Sequence, residues 1–191
     1  MAESVDRDWV REAGGGDPGR TPVLVETEIW SRAFWRDPDA LAWLAAVGPR
    51  RTIVTQTTVR EISFGAQWRR RGAVVRPEYD AVLREYAERL PDRYPYLNQS
   101  SPRLISTIEG LRVDVSLKSL WITDERNEKP KSPGRLEMSG SSIYLGIPIA
   151  ALGGEAYRKV ARAGHPLPLV FDPLSGVEYV RDGRCLVDEE A

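Results

Sequence analysis

Val23-Leu24-Val25-Glu26-Thr27-Glu28-Ile29-Trp30 decides the fold class. Three apolar residues in a row, preceded by Pro22, form the pattern of a strand buried on both faces. The period then changes. Ile29, Trp30, Ala33 and Phe34 recur at helical spacing, which predicts a helix over Thr27 to Trp35. A short buried strand feeding straight into a helix is the opening of a β-α unit, and such units build parallel sheets covered by helices.

Working outward, the same logic repeats. Asp37-Pro38 starts a second helix, with Asp37 as N-cap and Pro38 at the first helical position. It carries Leu41, Ala42, Trp43, Leu44 and Ala45 and stops near Gly48-Pro49. Thr52-Ile53-Val54-Thr55 is β-branched and predicts a second strand. Thr57 or Thr58 then caps a helix carrying Val59, Ile62 and Phe64. From Pro77 to Leu90, Tyr79, Val82, Leu83 and Tyr86 mark one helix face, and Pro91 and Pro95 end it.

The span 96–142 differs in kind and reads as an inserted β-rich segment. Leu111 to Thr123 alternates and predicts one long strand, and Asp124 to Gly140 is polar with two prolines and predicts an exposed loop. Ile143 to Ile149 is a buried-strand candidate. A helix follows over Gly154 to Ala163, then a strand within Leu167 to Phe171. Val177 to Val180 and Cys185 to Val187 predict a hairpin turning at Asp182-Gly183. Residues 1–20, with Gly14-Gly15-Gly16-Asp17-Pro18-Gly19, are expected to lack regular structure, leaving one α/β domain over 21–191.

Composition narrows the chemistry. With 41% hydrophobic and 29% charged residues, the 191-residue chain has an ordinary globular balance. The single Cys185 excludes an internal disulfide framework, and with one histidine it excludes a Cys/His zinc site made by one chain. A metal would therefore be held by carboxylates, which favours Mg or Mn. No apolar run approaches the ~20 residues needed to span a bilayer. The start of the chain has no apolar signal core, so the cytoplasm is the expected location.

Charge is uneven along the chain. Arg50 to Arg76 holds seven arginines against one acid, whereas Asp172 to Ala191 holds six acids against two arginines. Arg69, Arg70 and Arg71 are candidate phosphate contacts, and the plainer reading is a solvated helix face. Tyr79, Tyr86, Tyr94 and Tyr96 interleave with Arg84, Arg89 and Arg93; single-strand stacking is one reading and half-buried helix packing the preferred one. Trp30, Trp35, Trp43 and Trp68 are expected as core or interface anchors.

Several stretches together resemble the PIN-domain nucleases, among them the helix start Asp37-Pro38 through Leu41-Ala42-Trp43-Leu44. Val23-Leu24-Val25-Glu26-Thr27-Glu28 is similar to their opening strand, with Glu26 in place of the first acid. Thr55, Thr58, Glu61 and Gly65 keep the family's spacing of three, three and four, which makes Glu61 the second acid. Glu155-Ala156-Tyr157 through Gly164-His165-Pro166-Leu167 resembles the lead into the third acid, near which Asp172 stands. The resemblance covers about half the chain and departs from the pattern. Asp172 falls one residue late, a proline-glycine turn follows it, and the span 96–142 has no family counterpart.

The resemblance implies a PIN-like sheet and a metal-dependent ribonuclease of the toxin type. Glu26, Glu61 and Asp172 would be both catalytic residues and ligands of Mg or Mn. It also implies RNA as substrate and an antitoxin-like protein partner, with homo-oligomers compatible. The competing expectation is a non-catalytic relative that works as a binding or assembly protein. Asp114-Val115-Ser116-Leu117-Lys118 separately resembles part of the restriction-endonuclease core, though an exposed sheet face explains it as well.

Overall fold

The computed structural model describes residues 21–70, 77–98, 103–108, 111–116 and 133–186; the stretches 64–70, 77–78, 103–108, 111–116 and 133–136 are described as backbone only. Along the chain, β1 (Val23–Val25) leads into α1 (Thr27–Phe34) and α2 (Pro38–Val47). Next come β2 (Thr52–Thr55), α3 (Gln56–Arg70), α4 (Pro77–Arg93) and β3 (Tyr96–Asn98). A hairpin follows, made of β4 (Arg103–Ile108) and β5 (Leu111–Ser116). The chain continues through α5 (Pro133–Leu145), β6 (Ile149–Ala150), α6 (Glu155–Arg162) and β7 (Leu169–Phe171), and closes with β8 (Glu178–Arg181) and β9 (Arg184–Cys185).

The strands form one sheet in the order β5-β4-β3-β2-β1-β6-β7-β8-β9. Its centre, β3-β2-β1-β6-β7, is parallel throughout. Antiparallel hairpins extend both sides of that centre. The fold is therefore α/β as expected, with a parallel sheet flanked by helices, and is consistent with a PIN-like arrangement.

Strand alternation sorts the core into two layers. Val23, Val25 and Val54 face α1 to α4 and pack with Ile29, Trp30, Leu44 and Leu83. Leu24, Ile53 and Leu97 face the other way, onto Met138 and Leu145 of α5 and Tyr157 and Ala161 of α6. Both faces of the central strands are covered, which is why they read as unbroken apolar runs. Each such side chain contributes about 1.5–3 kcal/mol on burial.

Local chemistry explains several boundaries. Asp37 Oδ1 accepts from the Asp39 and Ala40 amides at 3.0 and 3.1 Å, the expected N-cap. Gly48 ends α2 at φ +86°, a conformation that suits glycine. Asp182 and Gly183, at φ +50° and +74°, make the β8–β9 turn in the two-residue geometry expected of Asp-Gly.

Other expectations need correction. The cap of α3 is Thr55, whose Oγ1 accepts from the Thr58 amide at 3.1 Å; neither Thr57 nor Thr58 fills that role. Helix α4 runs on through Pro91 to Arg93. A proline one turn from a helix end removes few hydrogen bonds, and the Tyr94 amide still reaches the Leu90 carbonyl at 3.0 Å. The buried stripe of α4 is Asp80, Leu83, Ala87 and Leu90, whereas Tyr79 and Val82 lie outside.

The inserted span is also different from its reading. β3 within it belongs to the parallel centre. The long strand is the shorter β5, paired with β4, and 117–123 lie outside the described residues. Pro133 opens a helix where a loop was expected, since proline suits the first helical turn. That helix absorbs Ile143 to Leu145, so only Ile149–Ala150 of the expected Ile143–Ile149 strand is extended. Residues 1–20 and Lys118 lie outside the described residues.

Candidate functional site at the carboxyl edge of the sheet

The strand order places a switch point between β1 and β6. From β1 the chain steps outward to β2 and β3, and later returns to place β6 and β7 on the other side of β1. The connections after β1 and β6 therefore leave on opposite faces, α1 into one layer and α6 into the other. Loops that diverge in this way open a crevice at the carboxyl ends of the strands, where ligands of open α/β sheets bind.

Glu26 stands at that crevice, directly after β1, and is only 6% exposed. It occupies the N-cap position of α1, yet its side chain caps no amide of that helix. Its Oε1 instead accepts from the Tyr157 hydroxyl at 2.6 Å, across from α6. Tyr157 is fully buried and its hydroxyl also lies 3.4 Å from Met138 Sδ. A side chain of one helical layer thus holds a carboxylate anchored on the other. Glu26 thus stands at a helix end but is tied across the sheet.

The second acid is tied to the residue beside the first. Glu61 is exposed on α3 and accepts a hydrogen bond from Thr27 Oγ1, the residue next to Glu26. Thr55 and Thr58 share a hydroxyl contact at 3.0 Å, and the Thr58 hydroxyl reaches the Val25 carbonyl at 3.5 Å. The spaced threonines therefore stitch the start of α3 to the end of β1. A further carboxylate, Glu137 of α5, accepts from Thr57 Oγ1 at 2.9 Å. Sequence reasoning missed it because 124–140 reads as a polar loop; Pro133 as a helix-opening residue was the available signal.

Asp172 follows β7 and is nearly buried, but its work is local. Its Oδ1 accepts from the Leu174 and Ser175 amides at 2.8 and 3.2 Å, and its carbonyl accepts from the Gly176 amide at 2.9 Å. This is an Asx turn, the structural use of aspartate before a proline-glycine reversal. The loop after β6 brings no acid: Ala151, Leu152, Gly153 and Gly154 lead into α6. A Cβ on Gly154 would lie 1.9 Å from the Tyr179 ring, so this loop requires a glycine.

A scan against protein-family models and a search of curated proteins both return no match. Among the described residues, no three His, Cys, Asp or Glu side chains gather into a metal-holding group. Glu26 and Glu61 carry the oxygen donors that a hard divalent ion takes, and Glu61 accepts from Thr27, the residue next to Glu26. Asp172 Oδ1 is engaged by two amides of its own turn. Arg69 and Arg70 lie in the last turn of α3 with side chains outside the described set, and Arg71 lies outside it entirely.

Tyr86 and Tyr94 are structural. Tyr86 donates to the Trp30 carbonyl at 3.1 Å, and Tyr94 meets the Trp30 ring edge-on with centroids 4.7 Å apart. Burial raises the Tyr86 phenol well above its usual value, so it stays protonated. Trp30 is the expected core anchor and Trp43 is half-buried against Phe171, but Trp35 is 51% exposed. The Trp68 side chain lies outside the described residues. No helix among the described residues is long and apolar enough to cross a membrane.

Proposed function

We propose that the chain is a PIN-like metal-dependent nuclease of the ribonuclease type, working from the crevice between β1 and β6. The observation that carries this reading is the buried Glu26 at the switch point, with Glu61 tied beside it through Thr27. Burying a carboxylate is costly, so one held at a ligand-binding crevice is a candidate for chemistry. Glu26 and Glu61 would hold Mg or Mn. A divalent ion there supplies an activated water and offsets charge developing on a phosphodiester.

The chain's own residues do the positioning. The Tyr157 hydroxyl orients Glu26, and the Thr27 hydroxyl orients Glu61. The arginines at the end of α3, Arg69 and Arg70 with the adjoining Arg71, are proposed to hold the RNA backbone by charge. As a toxin-type enzyme it would be controlled by a protein partner of the antitoxin kind. Asp172 supports the turn after β7 and is left out of the ligand set.

A second reading has its own support. Tyr157 already occupies one oxygen of Glu26, and Asp172 is committed to its turn, as in a fold kept for binding or assembly rather than hydrolysis. One experiment separates the two. Labelled single-stranded RNA is incubated with the protein in Mn or Mg, alongside Glu61→Gln. Cleavage that chelator abolishes and Glu61→Gln reduces at least a hundredfold supports the nuclease. No cleavage by the wild type, or equal cleavage by the variant, favours the binding protein.

A further inference from the structure

The sheet ends in two unlike edges. At one, β9 is two residues long, Arg184–Cys185. At the other, β5 runs for six residues, Leu111–Ser116, and among the described residues its one neighbour is β4. Its six pairs with β4 follow one another without a register shift, so the strand has no bulge. It contains no proline and no lysine, and its two charges, Arg112 and Asp114, are of opposite sign. Short length, bulges, proline and lysine are the usual means of blunting a sheet edge, and β5 has none of them. Its outer side is therefore a row of backbone amides and carbonyls that a further strand can take up.

The sequence of β5 is complementary to itself. A two-fold axis perpendicular to the sheet brings two copies of an edge strand together antiparallel, with like faces continuous. Residues directly opposite then lie on the same face, so the register must centre on a single residue. Centred on Val113, Arg112 stands opposite Asp114 of the second copy, and the reverse pair forms by symmetry. Val113 meets its own counterpart, and Leu111 stands opposite Val115. The adjoining registers, centred on Arg112 or on Asp114, set like charges face to face. Charge thus selects the Val113 register over its neighbours. In that register Leu111, Val113 and Val115 of both copies form one apolar row. Strand pairing puts this row on the same face as Leu104 of β4 and Leu97 of β3, and Leu97 belongs to the core layer under α5 and α6.

We propose that β5 is a homodimer edge. A second copy of this chain adds its own β5 antiparallel, centred on Val113, and the sheet continues across the two-fold axis. Main-chain hydrogen bonds and the apolar row supply affinity, and Arg112 with Asp114 fixes the register. β5 stands four strands, about 19 Å, from β1, so pairing and the carboxylate site are separate features.

Sedimentation velocity of the full chain measures the self-association, and hydrogen exchange locates it. A monomer–dimer equilibrium is expected for the wild type. Asp114→Arg sets arginines opposite each other and should raise the dissociation constant at least tenfold, and Arg112→Asp should do the same with acids. The double variant Arg112→Asp/Asp114→Arg exchanges the charges and should bring the dimer back. Circular dichroism checks that each variant keeps its fold. Exchange needs no variant: wild-type amides in 111–116 should slow as protein concentration rises, while those of β9 should not. A monomer at every concentration up to millimolar would overturn the proposal. So would a dimer that the single variants leave intact, or one that the double variant fails to restore. Protection of 111–116 that is independent of concentration would assign the edge to another segment of the same chain and overturn it equally. None of these measurements depends on RNA cleavage, so the pairing and the nuclease reading fail separately.

Discussion

Two acids end central strands of the same sheet, and they are used in opposite ways. Glu26 follows β1 and is held by a residue of another layer, the Tyr157 hydroxyl at 2.6 Å. Asp172 follows β7 and is held by amides two and three residues ahead. The first contact spans 131 residues of sequence and the second closes a local turn. Position at a strand end does not define a role; the partners of the carboxylate do. Long-range partners fix a carboxylate in a crevice, whereas neighbouring amides convert it into a backbone fastening.

The contrast is tested most strongly at Tyr157. Its ring is fully buried, so Tyr157→Ala should cost about 3–5 kcal/mol. Tyr157→Phe keeps the ring and removes only the hydroxyl from Glu26, so about 1–3 kcal/mol is expected. Chemical denaturation measures both. A Tyr157→Phe protein as stable as wild type would show that the cross-layer bond does little. On the same side of the sheet, Gly154→Ala must displace the Tyr179 ring, and about 1–3 kcal/mol should be lost.

Asp172→Ala should be milder, about 1–2 kcal/mol, because the two amides it releases lie in a surface turn and can turn to water. Its effect should be confined to the β7–β8 connection, visible as faster amide exchange at Leu174 and Ser175. Spread of faster exchange to α1 or α3 would mean that Asp172 belongs with Glu26 after all.

The smallest effect concerns Asp37, whose role was legible from Asp-Pro alone. Hydrogen bonding from the Ala40 amide, then from Asp39, and the Arg32 charge hold its carboxyl below the ordinary carboxylate range, with burial opposing. A lowered folded pKa stabilises above the unfolded value and is lost as pH falls through the folded one. The difference in Tm between wild type and Asp37→Ala should therefore shrink as pH drops from about 6 toward 3. A difference that stays constant would rule out the charged cap.

What the sequence made legible follows from how local its causes are. β1, α1, α2 and β2 are set by apolar runs, an Asp-Pro cap and a glycine stop, all within a few residues. The acids Glu26 and Glu61 were singled out through the resemblance to the PIN-domain nucleases, whose spaced acids they match in order. The partners of Glu26 could not, since Tyr157 joins it only once α6 is wound onto the opposite face. Glu137 was hidden for a similar reason: α5 has weak apolar periodicity and is stabilised by packing on the sheet. Asp172 also supports a turn, and the following Pro-Leu-Ser-Gly was the local signal for it. In α4, apolar spacing suggested that Tyr79 and Val82 face inward, but the buried stripe is one residue away and includes Asp80.

The most direct test of the central claim is the melting temperature during titration with Mn or Mg, for wild type, Glu26→Gln, Glu61→Gln and Asp172→Ala. A ligand that binds only the folded state stabilises it by about 2.7 kcal/mol at a hundredfold excess over Kd. The account predicts a metal-dependent rise in Tm for wild type and Asp172→Ala, and no rise for Glu26→Gln or Glu61→Gln. No response of the wild type at millimolar metal, or a response that survives loss of both glutamates, would contradict it.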